Sequence, residues 1–339
     1  MDYLKLIHSS VRAISDKVEL ILYDDGSTDG TKEWLTSLNE PNTITHILPE
    51  RVGHTILYDR GFKEANNKII GILHADMIVH KNFFKNILKH VNSNNIVCGT
   101  CVEPPLHPPG NEKHIFNAGM YPDEFNPQQF DAFCDQIEGG ISEGIFAPWF
   151  LLKEEYFNKL GGHDVAYAPY GYEDSDLFSR MALSGFNFVQ SRDALVYHFT
   201  QRGHKWTKGI GVENEGYREQ MEKTRRIYVK KFGTDPIFDQ YHKPTPAPKY
   251  DIGFAVSNLT PNISNIIEPY CSTLSLECDN EVVVEFDANH LNNDNIQILF
   301  KLPLILQDSG EVGEFKLDIF SFKIKALTEH QNSLIKVAS

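Results

Sequence analysis

The stretch Tyr23-Asp24-Asp25-Gly26-Ser27-Thr28-Asp29-Gly30-Thr31 follows the largely apolar run Val18 to Leu22 and leads into a helix-period segment from Thr31 to Leu38. Two carboxylates at the C-terminal end of a buried strand, followed by glycine and small hydroxyl residues, build a polar crevice of the kind in which open α/β sheets bind ligands. Carboxylates repel phosphate, so they suit hydrogen-bond donors such as a base N–H or ribose hydroxyls. Asp, Ser and Thr also cap helices, so the rest of the chain must decide between the two uses.

Outward from this turn, apolar runs alternate with helix-period segments. Tyr3 to Ile14 reads as helix, Val18 to Tyr23 as strand, Ile44 to Leu48 as strand, Thr55 to Asn66 as helix and Ile69 to Leu73 as strand. That alternation predicts an α/β fold with a mostly parallel sheet wrapped by helices. A helix at Asn82 to Val91 and a strand at Ile96 to Cys101 follow, then a Pro-rich irregular stretch from Glu103 to Pro127, of a length that in compact domains is usually functional or mobile. Phe146 to Leu152 reads as strand, Glu154 to Leu160 as a helix stopped by Gly161-Gly162, and Asp176 to Leu183 as a helix. Asn187 to Gln190 and Ala194 to Tyr197 read as two short strands, and a polar helix spans Glu213 to Phe232. These residues predict a domain over 1–241. Pro244, Pro246 and Pro248 predict a stiff linker over 242–250. Beyond it, 251–339 reads as a small α/β or β-rich module of unassigned role, with strands at Ile252 to Val256, Glu281 to Phe286 and Phe315 to Ile324.

The 339 residues carry 46 acidic and 32 basic side chains, a formal charge of −14, which argues against a nucleic-acid backbone or an anionic membrane as the main partner. The five cysteines, Cys98, Cys101, Cys134, Cys271 and Cys278, are odd in number and lack framework spacing, so they read as reduced thiols in a cytoplasmic protein. No run approaches the roughly 18 apolar residues of a membrane span. The pattern says nothing of oligomeric state.

Two further clusters carry chemistry. Leu73-His74-Ala75-Asp76-Met77 places a carboxylate at the end of the strand Lys68 to Leu73, and Mg²⁺ typically needs only one or two protein carboxylates besides substrate phosphates. Gly161-Gly162-His163-Asp164 is followed by Tyr170-Gly171-Tyr172-Glu173-Asp174-Ser175-Asp176-Leu177 and Arg180. Asp176 and Arg180 have the spacing of an ordinary helical ion pair.

In order and spacing, these three clusters resemble the family 2 glycosyltransferases of the GT-A fold. The resemblance covers roughly residues 3 to 232 and implies a three-layer α/β/α sheet with a nucleotide-sugar site. It implies that Asp24, Asp25 and Ser27 grip the donor nucleoside, with Asp59 (where the family commonly has Asn) and Arg51 within reach of the nucleotide. It implies Asp76 as contact for a divalent cation, Mn²⁺ or Mg²⁺, although His74 replaces the first Asp of the family's Asp-x-Asp. His198, in Val196-Tyr197-His198, stands where many members place a histidine near metal and diphosphate. Asp174 is the implied general base and Glu173 the second choice; helix N-termini favour the ionised carboxylate that a base requires. Trp149, Gly162 and His163 fall on the acceptor side, with His163 replacing the usual Phe. Arg202, His204, Lys205 and Trp206 form a basic and aromatic flap candidate. Members normally open with an apolar strand that lies in mid-sheet, whereas Met1 to Ile7 already reads as the helix after it, so the expectation is a natural chain that begins upstream.

The function implied is an inverting, metal-dependent transfer of sugar from a nucleoside-diphosphate sugar to an acceptor hydroxyl, on a glycan or another acceptor. The alternative is a degenerate relative that binds sugar nucleotide or glycan without turnover. A nucleotidyltransferase would need an early Gly-rich, basic phosphate loop, which the chain lacks.

Overall fold

A computed structural model describes residues 1–200, 213–246, 252–255, 269, 273–275, 282–286, 322–326 and 334–337. Two compact units divide the chain: Met1–Met221 with Phe238–Thr245, and Glu222–Ile237 with Pro246–Ser339. The expected flap at Arg202 to Trp206, the linker residues 247–250, Cys271, Cys278 and the strand start 315–321 lie outside the described residues.

The first unit takes its layering from side-chain alternation. Strand β3 (Ile69–Ile72), β5 (Asn95–Glu103) and β8 (Trp149–Leu152) each send alternate residues to opposite faces, as period 2 requires. Ile70, Ile72, Ile96, Cys98, Trp149 and Leu151 pack beneath α3 (His54–Glu64), α6 (Lys153–Leu160) and α7 (Glu173–Leu183) through Phe62, Tyr156, Leu177 and Met181. Their neighbours Val97 and Phe150 pack on the other face with Ile7 and Val11 of α1 (Asp2–Ile14) and Phe83 and Ile87 of α4 (Phe83–Leu88). The result is the expected three-layer α/β/α arrangement. Gly71 is required by this packing, because a Cβ there would lie 2.3 Å from the Phe150 ring.

The sheet is mixed. Its main order is β3-β8-β5-β9-β4, with β9 spanning Asn187–His198 and β4 spanning Met77–Val79. β5 runs parallel to β9 and to β6 (Lys113–Ile115). β8 runs antiparallel to both β3 and β5, and β9 antiparallel to β4 and to β7 (Ile141–Glu143). Strands β3, β5 and β9 therefore point the same way, and their C-terminal ends gather His74 to Asp76, Glu103 and His198.

β1 (Leu20–Asp25) pairs in parallel with β2 (Thr43–Leu48) as a separate two-stranded sheet. No strand pairing among the described residues joins β1 to β3. Leu20, Ile21 and Leu22 are only half-buried. The Glu19 carboxylate ties the two pieces together at one end, accepting from Asn66 N at 2.9 Å and Asn67 Nδ2 at 3.1 Å. Helix α2 (Thr31–Ser37) packs on this pair.

Three local readings differ from the sequence expectation. The two short strands at 187–190 and 194–197 are one strand, because β5 pairs with both halves across a register shift between Cys98 and Thr100. The stretch from Glu103 to Pro127 is not wholly irregular: Glu103 ends β5, and Lys113–Ile115 form β6 alongside it. A helix, α5 (Pro127–Cys134), follows with Asn126 as N-cap, its side chain accepting from Gln129 N at 3.0 Å. Cys98, Cys101 and Cys134 are buried and free.

A polar helix, α8, spans Tyr217–Phe232. In the second unit, β10 (Ile252–Ala255), β11 (Thr273–Ser275), β12 (Val282–Phe286), β13 (Phe322–Ala326) and β14 (Leu334–Val337) form one sheet of order β11-β10-β12-β13-β14. No helix among the described residues is long and apolar enough to cross a membrane.

Candidate active site

At the end of β1 the two aspartates divide their work. Asp24 is 2% exposed, and its carboxylate accepts from Ser27 N at 2.9 Å, closing the turn. It therefore shapes the turn that bounds the crevice. Asp25 accepts from Val52 N at 2.7 Å and Gly53 N at 2.9 Å, with Arg51 Nε 4.0 Å away. Ser27 and Arg51 are exposed beside it, and the Arg51 guanidinium lies 5.2 Å over the Tyr170 ring.

Gly53 joins this turn to the next cluster. It sits at φ 91, and a Cβ there would fall 2.2 Å from Pro169 O, so the loop before α7 closes directly onto it. The next residue, His54, reaches Glu173 Oε1 with Nε2 at 2.7 Å. Tyr172, just before α7, is held left-handed at φ 62, a conformation that costs a non-glycine residue about 1–3 kcal/mol and clusters at functional sites. It delivers Glu173 and Asp174 to the first turn of α7.

The two acids of this pair differ. Glu173 is largely covered; burial pushes its carboxyl up, but the hydrogen bond and charge of His54 outweigh that and hold it below the usual range. Asp174 is exposed, with its carboxylate turned back to accept from Ser175 N at 2.6 Å, and protein atoms displace part of the water around it. That desolvation, and after it the Glu173 charge, raise its carboxyl to about 6. A base poised near neutrality and open to an incoming group is what proton abstraction needs.

Beyond β3, His74, Asp76 and His198 place one ligand atom each within 4.8 Å of one another. The pairing Met77↔His198 between β4 and β9 sets Asp76 beside His198, with Nε2 3.6 Å from Asp76 Oδ1. Burial, then the charge of His198, lowers His74 to about 4, so its ring is neutral. Burial also lowers His198, but Asp76, Cys101 and Glu103 outweigh it and the net direction is up. A carboxylate flanked by two imidazoles fits a divalent ion such as Mn²⁺. Tyr58 connects the halves of the cleft: its phenol is pushed up first by burial and then by Glu173, Asp174 and Asp76 together. Asp25, Gly53, His54 and Glu173 are thus joined through direct hydrogen bonds and the chain itself, and Tyr58 lies near both Glu173 and Asp76.

Three expected contacts lie elsewhere. Asp59 is committed to the Gly162-His163 turn: its Oδ1 accepts from His163 N at 3.0 Å and from the Tyr156 hydroxyl. A Cβ on Gly162 would lie 2.2 Å from Asp59 Oδ2. Asp59 therefore braces the Gly162-His163 turn. His163 is buried, with its ring against Asp59 and Tyr156, so it offers an acceptor no side chain. Trp149 is 3% exposed and stacks on Tyr156, a core tryptophan rather than an open wall. Asp176 is fully buried and accepts from Arg180 Nε at 2.7 Å, the ion pair that the spacing predicts.

Sequence reasoning passed over His54 and Glu103. His54 follows a glycine at a helix start, and Glu103 carries a charge into a strand otherwise buried from Ile96 to Val102; both patterns are visible locally, but their partners are about a hundred residues away.

With this geometry in view, the family model described as Glycosyl transferase family 2 matches residues 2–161, and one described as N-terminal domain of galactosyltransferase matches residues 136–205. The chain carries a family 2 glycosyltransferase domain. Among particular relatives it is 24% identical over 238 residues to the uncharacterized glycosyltransferase YfnE of Bacillus subtilis (strain 168), a match covering 58% of this chain and 60% of the relative. It is 23% identical to a validoxylamine A glucosyltransferase of Streptomyces hygroscopicus subsp. jinggangensis, over 52% of this chain and 46% of the relative. The chain thus spans less than two thirds of the length of these relatives. A solved mannosyltransferase, PcManGT from Pyrobaculum calidifontis in complex with GDP-Man and Mn²⁺, aligns with a TM-score of 0.40 at 17% identity, over 68% of this chain and 59% of that one.

Proposed function

We propose that this protein is an inverting, metal-dependent glycosyltransferase that moves a sugar from a nucleoside diphosphate to an acceptor hydroxyl on a glycan. The observation that carries the reading is the convergence of a cation-capable trio, His74, Asp76 and His198, with an acid pair of which Asp174 is raised to about 6. In this reading Asp25 and the adjoining turn bind the nucleoside. Asp76 and His198, with neutral His74 beside them, would hold a divalent cation, which when bound would supply positive charge to the departing diphosphate. Asp174 takes the proton as the acceptor oxygen bonds to the anomeric carbon, and the bond from that carbon to the diphosphate oxygen breaks with its electron pair on the leaving group. Glu173, held by His54, stays ionised and keeps Asp174 basic. The Asp59-braced turn at Gly161-Gly162 borders the acceptor.

Residues 251–339 act as an accessory module after the linker, and the buried free thiols Cys98, Cys101 and Cys134 suit a reducing cytoplasm. The test is release of nucleoside diphosphate from a panel of sugar nucleotides with Mn²⁺, by the full chain and by Asp174→Asn. Turnover by the parent and its loss in the variant support the reading; equal rates in both would end it. His74, which stands in place of the first Asp of the family's Asp-x-Asp, favours a second reading, a relative that binds the donor without turnover. Donor binding with no release by the parent protein would select it.

A further inference from the structure

Behind the cation-capable trio lies a second carboxylate that the sequence reading assigned only to the edge of a loop. Glu103, the last residue of β5, is 2% exposed, and its Oε1 lies 3.0 Å from His198 Nδ1. Its Oε2 accepts from Lys113 Nζ at 2.8 Å, and its backbone oxygen accepts from Phe116 N at 2.9 Å, so both ends of the residue are fixed. Lys113 is itself nearly buried and stands on β6, which pairs with the end of β5. An ionised carboxylate can only accept, so Nδ1 of His198 carries the proton and donates it. The other nitrogen, Nε2, is then turned toward Asp76, 3.6 Å away.

We propose that Glu103 is a positioning residue: anchored by Lys113, it holds the His198 imidazole in the orientation and tautomer that offer Nε2 to the divalent cation. The inference rests on the metal-dependent reading above and goes beyond it, because Glu103 touches neither donor nor acceptor in that reading. A histidine that ligates metal commonly donates its second N–H to a carboxylate, which fixes the ring and raises its basicity. Here the carboxylate is buried and already neutralised by Lys113. It therefore acts as a hydrogen-bond acceptor for His198 rather than as an extra ligand competing for the ion.

The experiment is direct Mn²⁺ binding to the full chain, read by the loss of the free-ion electron paramagnetic resonance signal, with no donor or acceptor present. Glu103→Gln should weaken Mn²⁺ binding about 10- to 100-fold, the range found when such outer carboxylates are replaced. That change leaves Lys113 beside an amide with Glu112 Oε1 3.7 Å away as its remaining carboxylate, and the double variant Glu103→Gln with Lys113→Gln, which keeps a polar group beside Glu112, provides a second test and should show the same loss. In a His198→Ala background, Glu103→Gln should add less than about threefold, since a residue that acts through His198 has nothing left to position. Mn²⁺ binding unchanged in either Glu103 variant overturns the proposal, as does an equal loss with and without His198. If His198→Ala and Asp76→Asn both bind Mn²⁺ like the parent, the metal assignment itself falls and the positioning role with it. If those two weaken binding while Glu103→Gln does not, only the positioning role is refuted.

Discussion

Replacing Asp174 with Asn removes the charge of the proposed base while keeping its shape. A positioned general base contributes about 100- to 10,000-fold, so turnover should fall by that factor, roughly 3–5 kcal/mol of barrier. The pH dependence follows from the value near 6 to which desolvation and the Glu173 charge raise this carboxyl. The ionised form is the active one. At about pH 7 roughly nine-tenths of Asp174 is ionised and at about pH 5 roughly one-tenth, so the parent rate should drop about tenfold over that interval. The residual rate of the Asn variant should be flat across it. Stability moves the other way: a folded-state pKa above the unfolded one means that ionisation opposes folding, fully so above about pH 6 and not at all below the unfolded value near 4. At about pH 8 the variant should therefore melt at or above the parent temperature. Initial rates of nucleoside diphosphate release between about pH 5 and 8, with donor affinity by calorimetry and melting by differential scanning calorimetry, give all three readouts. A loss of less than about tenfold, or a donor affinity that falls in step with turnover, would refute the base assignment.

Asp76→Asn should abolish turnover by more than about a hundredfold while melting near the parent temperature, and EDTA should do the same to the parent; undiminished rates in EDTA would remove the cation from the mechanism. Tyr156→Phe deletes a donor to Asp59 beneath the Gly162-His163 turn, so the acceptor KM should rise several-fold with donor affinity unchanged; the reverse pattern would return Asp59 to the nucleotide. Gly53→Ala combines φ 91 with a Cβ 2.2 Å from Pro169 O, and should cost about 2 kcal/mol or more, seen as a melting point several degrees lower. An Ala variant that melts like the parent would show that the loop before α7 has room to retreat.

Much of this protein is written in short-range pattern. The apolar run into Asp24-Asp25, the helix stop at Gly161 and the Asp176–Arg180 pair follow from residues within a few positions of one another, where period, turn chemistry and helical spacing act directly. The three acidic clusters were legible for the same reason, since each is a contiguous motif at a strand or helix end. What each carboxylate does was not legible, because a hydrogen-bond partner is chosen by tertiary packing. Asp59 showed no partner until the fold set it against His163, 104 residues on, and His54 had no evident role until Glu173, 119 residues away, met it at 2.7 Å. The same holds for strand pairing. Local pattern read the polar Ser191 to Asp193 as a break, yet β5 spans both halves of β9 because sheet hydrogen bonds join segments far apart in sequence. Period and turn chemistry specified which segments are strands and helices; only packing in three dimensions decided that Glu103 and His198, 95 residues apart, would share a proton at the end of neighbouring strands.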